Sequence, residues 1–318
     1  RPGGDAATRM MQFRWLGVSG VELSADDQIL AIDPYFTRIP LWRMAFGRVR
    51  PDRELIANQI PRSDFVLVTH AHVDHLMDVP DVVQNTGAIA LGSPNTCRLL
   101  EASGVPAQQI REIAAGDRLT LGKFRVDVLP ADHPTVAGWR LFNGPLPPNL
   151  RPPLRARDYS MDRCFGFLVE IDGLRLLHCP GQAVPAEVLT VKPVWTRSRY
   201  ESLLRGARPR VVIPVHWDDF TRPLSEPVRP MLAPLNIKGS PTAPTADSRV
   251  RSTAALSKGS EAALSNIKGS EAALSGQLMS PLKRIDLAQF EQMVTQIVPE
   301  TQVLIPEVSR IYDLSEFR

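Results

Sequence analysis

The chain has 318 residues, enough for one large domain or two modest ones. Hydrophobic residues make up 43% and charged residues 22%, which excludes a disordered chain or a fibre. The 37 basic and 34 acidic residues leave +3, too small and too scattered a charge for a nucleic-acid footprint.

Taken in order, the first clear element is Gln28-Ile29-Leu30-Ala31-Ile32, a short apolar run stopped by Asp33-Pro34. Phe65-Val66-Leu67-Val68 reads as a buried strand and runs straight into Thr69-His70-Ala71-His72-Val73-Asp74-His75. Helices are predicted over 81–84 and 95–102, the second with Ser93-Pro94 as cap and first turn. Phe124, Val126 and Val128 alternate with Arg125 and Asp127, as in a half-buried strand. Asp172-Gly173 between Phe165–Ile171 and Leu174–Leu177 is the strongest hairpin signal. Val211–Val215 is another buried strand and delivers His216; Leu287–Val298 has helical periodicity, and 303–305 reads as a last strand. Strands followed by helices in both halves predict a layered α/β architecture, sheet inside and helices outside.

No run approaches the roughly 20 apolar residues of a membrane span. The opening Arg1-Pro2-Gly3-Gly4-Asp5 shows no signal peptide, so the expected location is the cytoplasm. Three cysteines at irregular spacing (Cys97, Cys164 and Cys179) form neither a disulfide framework nor a zinc-finger pattern. Between Phe220 and Phe290 there is no aromatic residue, and Lys258–Ser265 recurs as Lys268–Ser275. The segment 236–278 is therefore expected to be a flexible low-complexity insertion, or a lid, within a single domain spanning 1–318.

His70-x-His72-x-Asp74-His75 places four ligand-type side chains within six residues, directly after a buried strand. Histidines two apart on extended chain point the same way and can share one ion, while Asp74 and His75 can aim at a second. Neutral imidazole with a carboxylate suits zinc.

This sequence resembles the metallo-β-lactamase superfamily, whose signature is HxHxDH after a strand. The likeness runs from about Trp15 through Ile32-Asp33-Pro34 to His216, and is nearest to the broad branch of metal-dependent hydrolases with lactone- and phosphodiester-cleaving members. It implies a four-layer αββα sandwich. It also implies that His133, after the strand 124–129, joins His70 and His72 on a first ion, and that His216 joins Asp74 and His75 on a second. The usual bridging aspartate is missing. Gln182 stands at its place in Leu177-His178-Cys179-Pro180-Gly181-Gln182, leaving a weak second ion, a single ion, or replacement by Cys179 or His178. Asp218 or Asp219, just after His216, is expected either to hold an imidazole N–H or to be a solvated loop carboxylate.

The expected activity is therefore a hydrolase using a zinc-bound hydroxide, with manganese or iron as alternative ions, on a phosphoester or related small ester. Asp74 would orient the water and carry its proton. A lactonase, thioesterase or β-lactamase would use the same hydroxide on a carbonyl, and a metal-binding protein without catalysis is the reading from another class. Arg140, Arg151, Arg155 and Arg157, in the proline-rich stretch from Gly138 to Asp158, could serve an anionic small-molecule substrate or lie on a solvated loop. No nucleic-acid partner is expected, and the oligomeric state is open.

Overall fold

The computed structural model describes residues 11–133, 142–234 and 282–318. Two seven-stranded sheets carry the fold. The N-terminal half supplies β1 (Met11–Gly17), β2 (Gly20–Ala25), β3 (Gln28–Ile32), β4 (Phe65–Leu67), β5 (Ile89–Gly92) and β6 (Ile110–Glu112). The second sheet takes β7 (Arg118–Leu121), β8 (Phe124–Pro130), β9 (Phe165–Ile171), β10 (Leu174–His178), β11 (Val188–Val191) and β12 (Val211–Pro214). A small two-stranded antiparallel sheet pairs β13 (Leu232–Pro234) with β14 (Leu282–Arg284), and β15 (Gln302–Val303) and β16 (Ile311–Asp313) end the chain. The orders are β16-β1-β2-β3-β4-β5-β6 and β15-β12-β11-β10-β9-β8-β7, so each half is finished by a strand from the C-terminus.

The alternation in the sequence decides which face goes in. Phe124, Val126 and Val128 of β8 are buried while Arg125 is exposed. They meet Phe13, Trp15, Leu23 and Leu30 from the first sheet and Phe167, Val169, Leu176 and Ile213 from the second, in one core between the sheets. Each such side chain contributes about 1.5–3 kcal/mol by leaving water. Helices cover the outer faces: Val79–Thr86 and Pro94–Ala102 pack outside the first sheet, Arg197–Ala207 and Leu287–Ile297 outside the second. The result is the four-layer αββα sandwich.

Asp172 and Gly173 sit at φ 48° and 84°, the pair of positive values a two-residue hairpin of matching twist requires. Ser93 caps its helix by accepting from the Thr96 N–H. The helix foreseen over 81–84 extends to Val79–Thr86, because Pro80 fits the first turn and Gly87, at φ 78°, closes the last. The segment 236–278 lies outside the described residues. Among the described residues no helix is long and apolar enough to cross a membrane.

Candidate metal centre

The site lies where strands end. β4 runs out at Thr69 and His70, β8 leads to His133, β12 leads to His216, and β3 ends at Asp33. In such sheets the carboxyl ends of neighbouring strands open a crevice into which several separate loops project side chains. His72 stands just ahead of a single helical turn, Val73–Leu76, which turns Asp74 and His75 back into the cluster.

Two groups of donors result. The ligand atoms of His70, His72 and His133 all lie within 4.8 Å of one another, as do those of Asp74, His75 and His216. The groups adjoin, with the His70 and His75 rings 3.9 Å apart between centroids. His216 Nε2 is 3.2 Å and His75 Nε2 3.6 Å from Asp74 Oδ2.

The other ring nitrogens are tied to the protein. His75 Nδ1 lies 2.6 Å from Asp33 Oδ2, and His70 Nδ1 lies 2.9 Å from Thr69 Oγ1. His72 Nε2 faces the Phe142 carbonyl and Asn143 Oδ1, each at 3.2 Å. Thr69 is itself held by Asp33, donating its N–H to Oδ1 at 2.7 Å and its hydroxyl to Oδ2. Of the remaining nitrogens, His70 Nε2 and His75 Nε2 are buried with no hydrogen-bond partner among the described residues. Leaving a buried polar atom unpaired costs about 1–3 kcal/mol, so orphaned nitrogens, one in each donor group, fit a cation. A carboxylate behind an imidazole fixes its tautomer and direction, as metal-bound histidines require.

The electrostatics agree. Burial holds His72 and His216 down to about 4 and His133 to about 2, and keeps His70 well below its ordinary value, assisted by repulsion from the other imidazoles. All four are therefore neutral and able to donate a lone pair at neutral pH. Burial pushes the Asp74 carboxyl up, but His75 and His216 outweigh it and hold the group well below the carboxylate range.

The place of the absent aspartate is now visible. The Gln182 side chain is exposed, and neither Cys179 nor His178 belongs to either donor group. Gly181 lies so close to the chain leading to His133 that an added Cβ would sit 2.7 Å from the Pro130 carbonyl oxygen. His178 is fully buried between Thr190 Oγ1, 2.8 Å from its Nδ1, and Ser19 Oγ, 3.5 Å from its Nε2. The Cys179 sulfur rests 3.8 Å from Ser19 Oγ, its thiol pushed up to about 11 by burial.

Among the described residues, Asp218 and Asp219 make no hydrogen bond to an imidazole. Asp218, fully buried, pairs with Arg38 at 2.6 Å and accepts from the Val18 N–H at 3.0 Å. The Val18 carbonyl in turn accepts from the His216 N–H at 2.6 Å and from Trp15 Nε1 at 3.0 Å. Asp218 thus braces the backbone that presents His216. Val18 and His216 take φ 50° and 57°, left-handed conformations rare outside glycine, and for β-branched Val18 rarest, that the surrounding bonds enforce. Asp219 caps its own loop through Thr221.

A cavity beside His70 is lined by Ser19, Asp132, Cys164, Cys179, Lys192 and Trp195, among others. Lys192, half-buried, follows β11 and makes no ion pair among the described residues.

A family model described as a beta-lactamase superfamily domain matches residues 29–194, just over half of the chain. The chain belongs to the metallo-β-lactamase superfamily. It is 26% identical over 226 residues to a metal-dependent hydrolase of Carboxydothermus hydrogenoformans, covering 66% of this chain and 86% of that one. A second metal-dependent hydrolase, from Symbiobacterium thermophilum, is 26% identical over 230 residues, covering 66% and 85%. Among solved structures, the metallo hydrolase Igni18 of Ignicoccus hospitalis superposes with a TM-score of 0.53 at 15% identity, covering 96% of this chain and 98% of that one. The metallo-beta-lactamase fold protein YhfI of Bacillus subtilis gives 0.50 at 11% identity, covering 96% and 100%. These likenesses show the fold.

Proposed function

We propose that this metal-dependent hydrolase of the metallo-β-lactamase superfamily cleaves an anionic phosphoester, with His70, His72 and His133 holding one divalent ion and Asp74, His75 and His216 a second. The observation that carries the reading is the pair of adjoining three-donor groups, backed by Asp33 and Thr69. An ion held there, zinc by the match to imidazole and carboxylate, would supply a water acidified toward about 7 and positive charge for the attacked oxygen.

The chain's own residues supply the rest. Asp74, ionised and buried, accepts the proton of the attacking water and can return it to the leaving oxygen. Asp33 keeps the proton of His75 on Nδ1, so Nε2 stays a donor of electrons. Arg38, Asp218 and Val18 fix the backbone of His216.

The ammonium of Lys192 in the cavity beside His70 favours a substrate carrying negative charge, which ranks a phosphoester above a neutral lactone. A carbonyl hydrolase would use the same Asp74 and is tested in parallel. Purified protein is assayed on chromogenic phosphodiesters, phosphotriesters, lactones, thioesters and cephalosporins, alongside His72→Ala. Turnover of a phosphodiester that His72→Ala abolishes supports the proposal; turnover confined to neutral lactones refutes the substrate class.

A further inference from the structure

A six-residue helix, Leu41–Phe46, has no buried residue, yet it carries three large apolar side chains. Leu41 is 68% exposed, Trp42 63% and Phe46 83%. Other exposed large hydrophobics, such as Ile89, Val228 and Ile305, are scattered singly and less exposed, so this cluster calls for a cause.

The helix is also firmly mounted. The Val49 N–H, just beyond it, donates to the Leu154 carbonyl at 2.7 Å, and Arg48 pairs as a β-bridge with Arg155. Arg48 Nη1 reaches the Pro153 carbonyl at 2.5 Å. The apolar side chains are held outward from the body.

What surrounds them is mainly basic, although Asp52 and Glu54 follow Arg50 in the chain and Asp158 follows Arg157, accepting from the Arg155 N–H. Residues 34–51 contain no Asp or Glu but do contain Arg43, Arg48 and Arg50, all exposed. The segment joined to them, 142–157, likewise has no carboxylate and carries Arg151, Arg155 and Arg157. This is part of the arginine cluster noted in the sequence, and the metal centre makes no use of it. Arg43 lies 5.2 Å over the Trp42 ring, covering an aromatic with a cation as interfacial side chains do.

We infer that this face docks on an anionic lipid bilayer, with Leu41, Trp42 and Phe46 entering the headgroup–acyl boundary and the arginines meeting lipid phosphates. A protruding apolar wedge ringed by cations matches such a surface in both polarity and charge. A second copy of the chain would have to set arginines against arginines, and nucleic acid offers no apolar layer for three outward side chains. The same loop supplies the Phe142 carbonyl beside His72, so the docking face and the metal centre share one segment of chain.

The test is co-sedimentation of the full chain with vesicles of phosphatidylcholine alone and with added phosphatidylglycerol, at low and high salt, with light scattering in the absence of lipid. Binding is expected only to the anionic vesicles, weakening as salt rises. Each arginine near the surface is worth about fivefold in affinity, so Arg43→Gln with Arg50→Gln should lose about 25-fold at low salt. Replacing Leu41, Trp42 and Phe46 by Ser should cost about tenfold per side chain or more while leaving the unfolding transition in place. No binding of the wild type to anionic vesicles overturns the inference, as does undiminished binding of the triple Ser variant. A dimer in solution that the triple variant dissolves, or retention of duplex DNA without vesicle binding, assigns the face to another partner and equally overturns it.

Discussion

Asp33 is the group on which both donor sets lean, and Asp33→Asn perturbs it with little change of shape. The carboxylate is fully buried and accepts three bonds: from the Thr69 N–H, the Thr69 hydroxyl and His75 Nδ1. An amide keeps one oxygen for the Thr69 N–H, but turns an NH2 toward both the Thr69 hydroxyl and His75. Meeting that NH2, His75 must present Nδ1 as an acceptor, and its proton moves to Nε2, the atom that faces Asp74. Loss of a carboxylate behind a metal-bound histidine typically weakens metal by 10–100-fold, about 1.4–2.7 kcal/mol. Thr69 also touches His70 Nδ1, so the first group should be weakened to a smaller degree. The assay is competition for zinc against a chromogenic chelator, with urea unfolding of the metal-free protein as a control. Affinities within threefold of wild type at both sites would refute the role given to Asp33.

Asp218→Asn should lower unfolding free energy by about 3–5 kcal/mol in urea titrations, because it leaves the buried Arg38 guanidinium without its partner. His178 is neutral in the fold, held down to about 4 by burial and by Lys192, against 6.5 unfolded. Its contribution is present above pH 6.5 and is lost as pH falls toward 4, by at most about 3 kcal/mol at 1.36 kcal/mol per pH unit. His178→Gln should therefore flatten the fall in metal-free stability between pH 6.5 and 4; an unchanged slope contradicts the assignment. Lys192→Met should raise KM for a phosphodiester about tenfold while changing KM for a neutral ester less than twofold; equal effects on both would remove the ammonium from substrate binding.

Much of this protein could be read before the structure, for definite reasons. The buried strands that deliver the site are dense in Val, Ile and Leu, and the Asp-Gly turn has few conformational options, so their positions follow from local chemistry. The structure brings the six expected side chains together in two groups because a short motif places four of them, and strand ends bring His133 and His216 to it. Longer-range dependencies were hidden. Asp33 reads locally as a strand stop, and nothing in sequence says that its carboxylate crosses to His75, 42 residues away. Its position directly after a buried strand was the one available signal. Asp218 looked like a partner for an imidazole because it neighbours His216, but a left-handed turn at His216 sends it to Arg38 instead. Gln182 occupied the aspartate's place in a linear alignment, whereas the tight approach of Gly181 to Pro130 belongs to three-dimensional packing. Strands such as β6 and β16, with no buried residue and only three residues long, carry too little alternation to declare themselves.

The most direct measurement is the divalent metal content of the purified protein by elemental analysis, beside a variant in which His70 and His75 are both replaced by Ala. One to two equivalents per chain in the native protein, and none in the variant, is the predicted result. A native protein that takes up no divalent ion even when zinc is supplied in excess would contradict the account, whatever the fold.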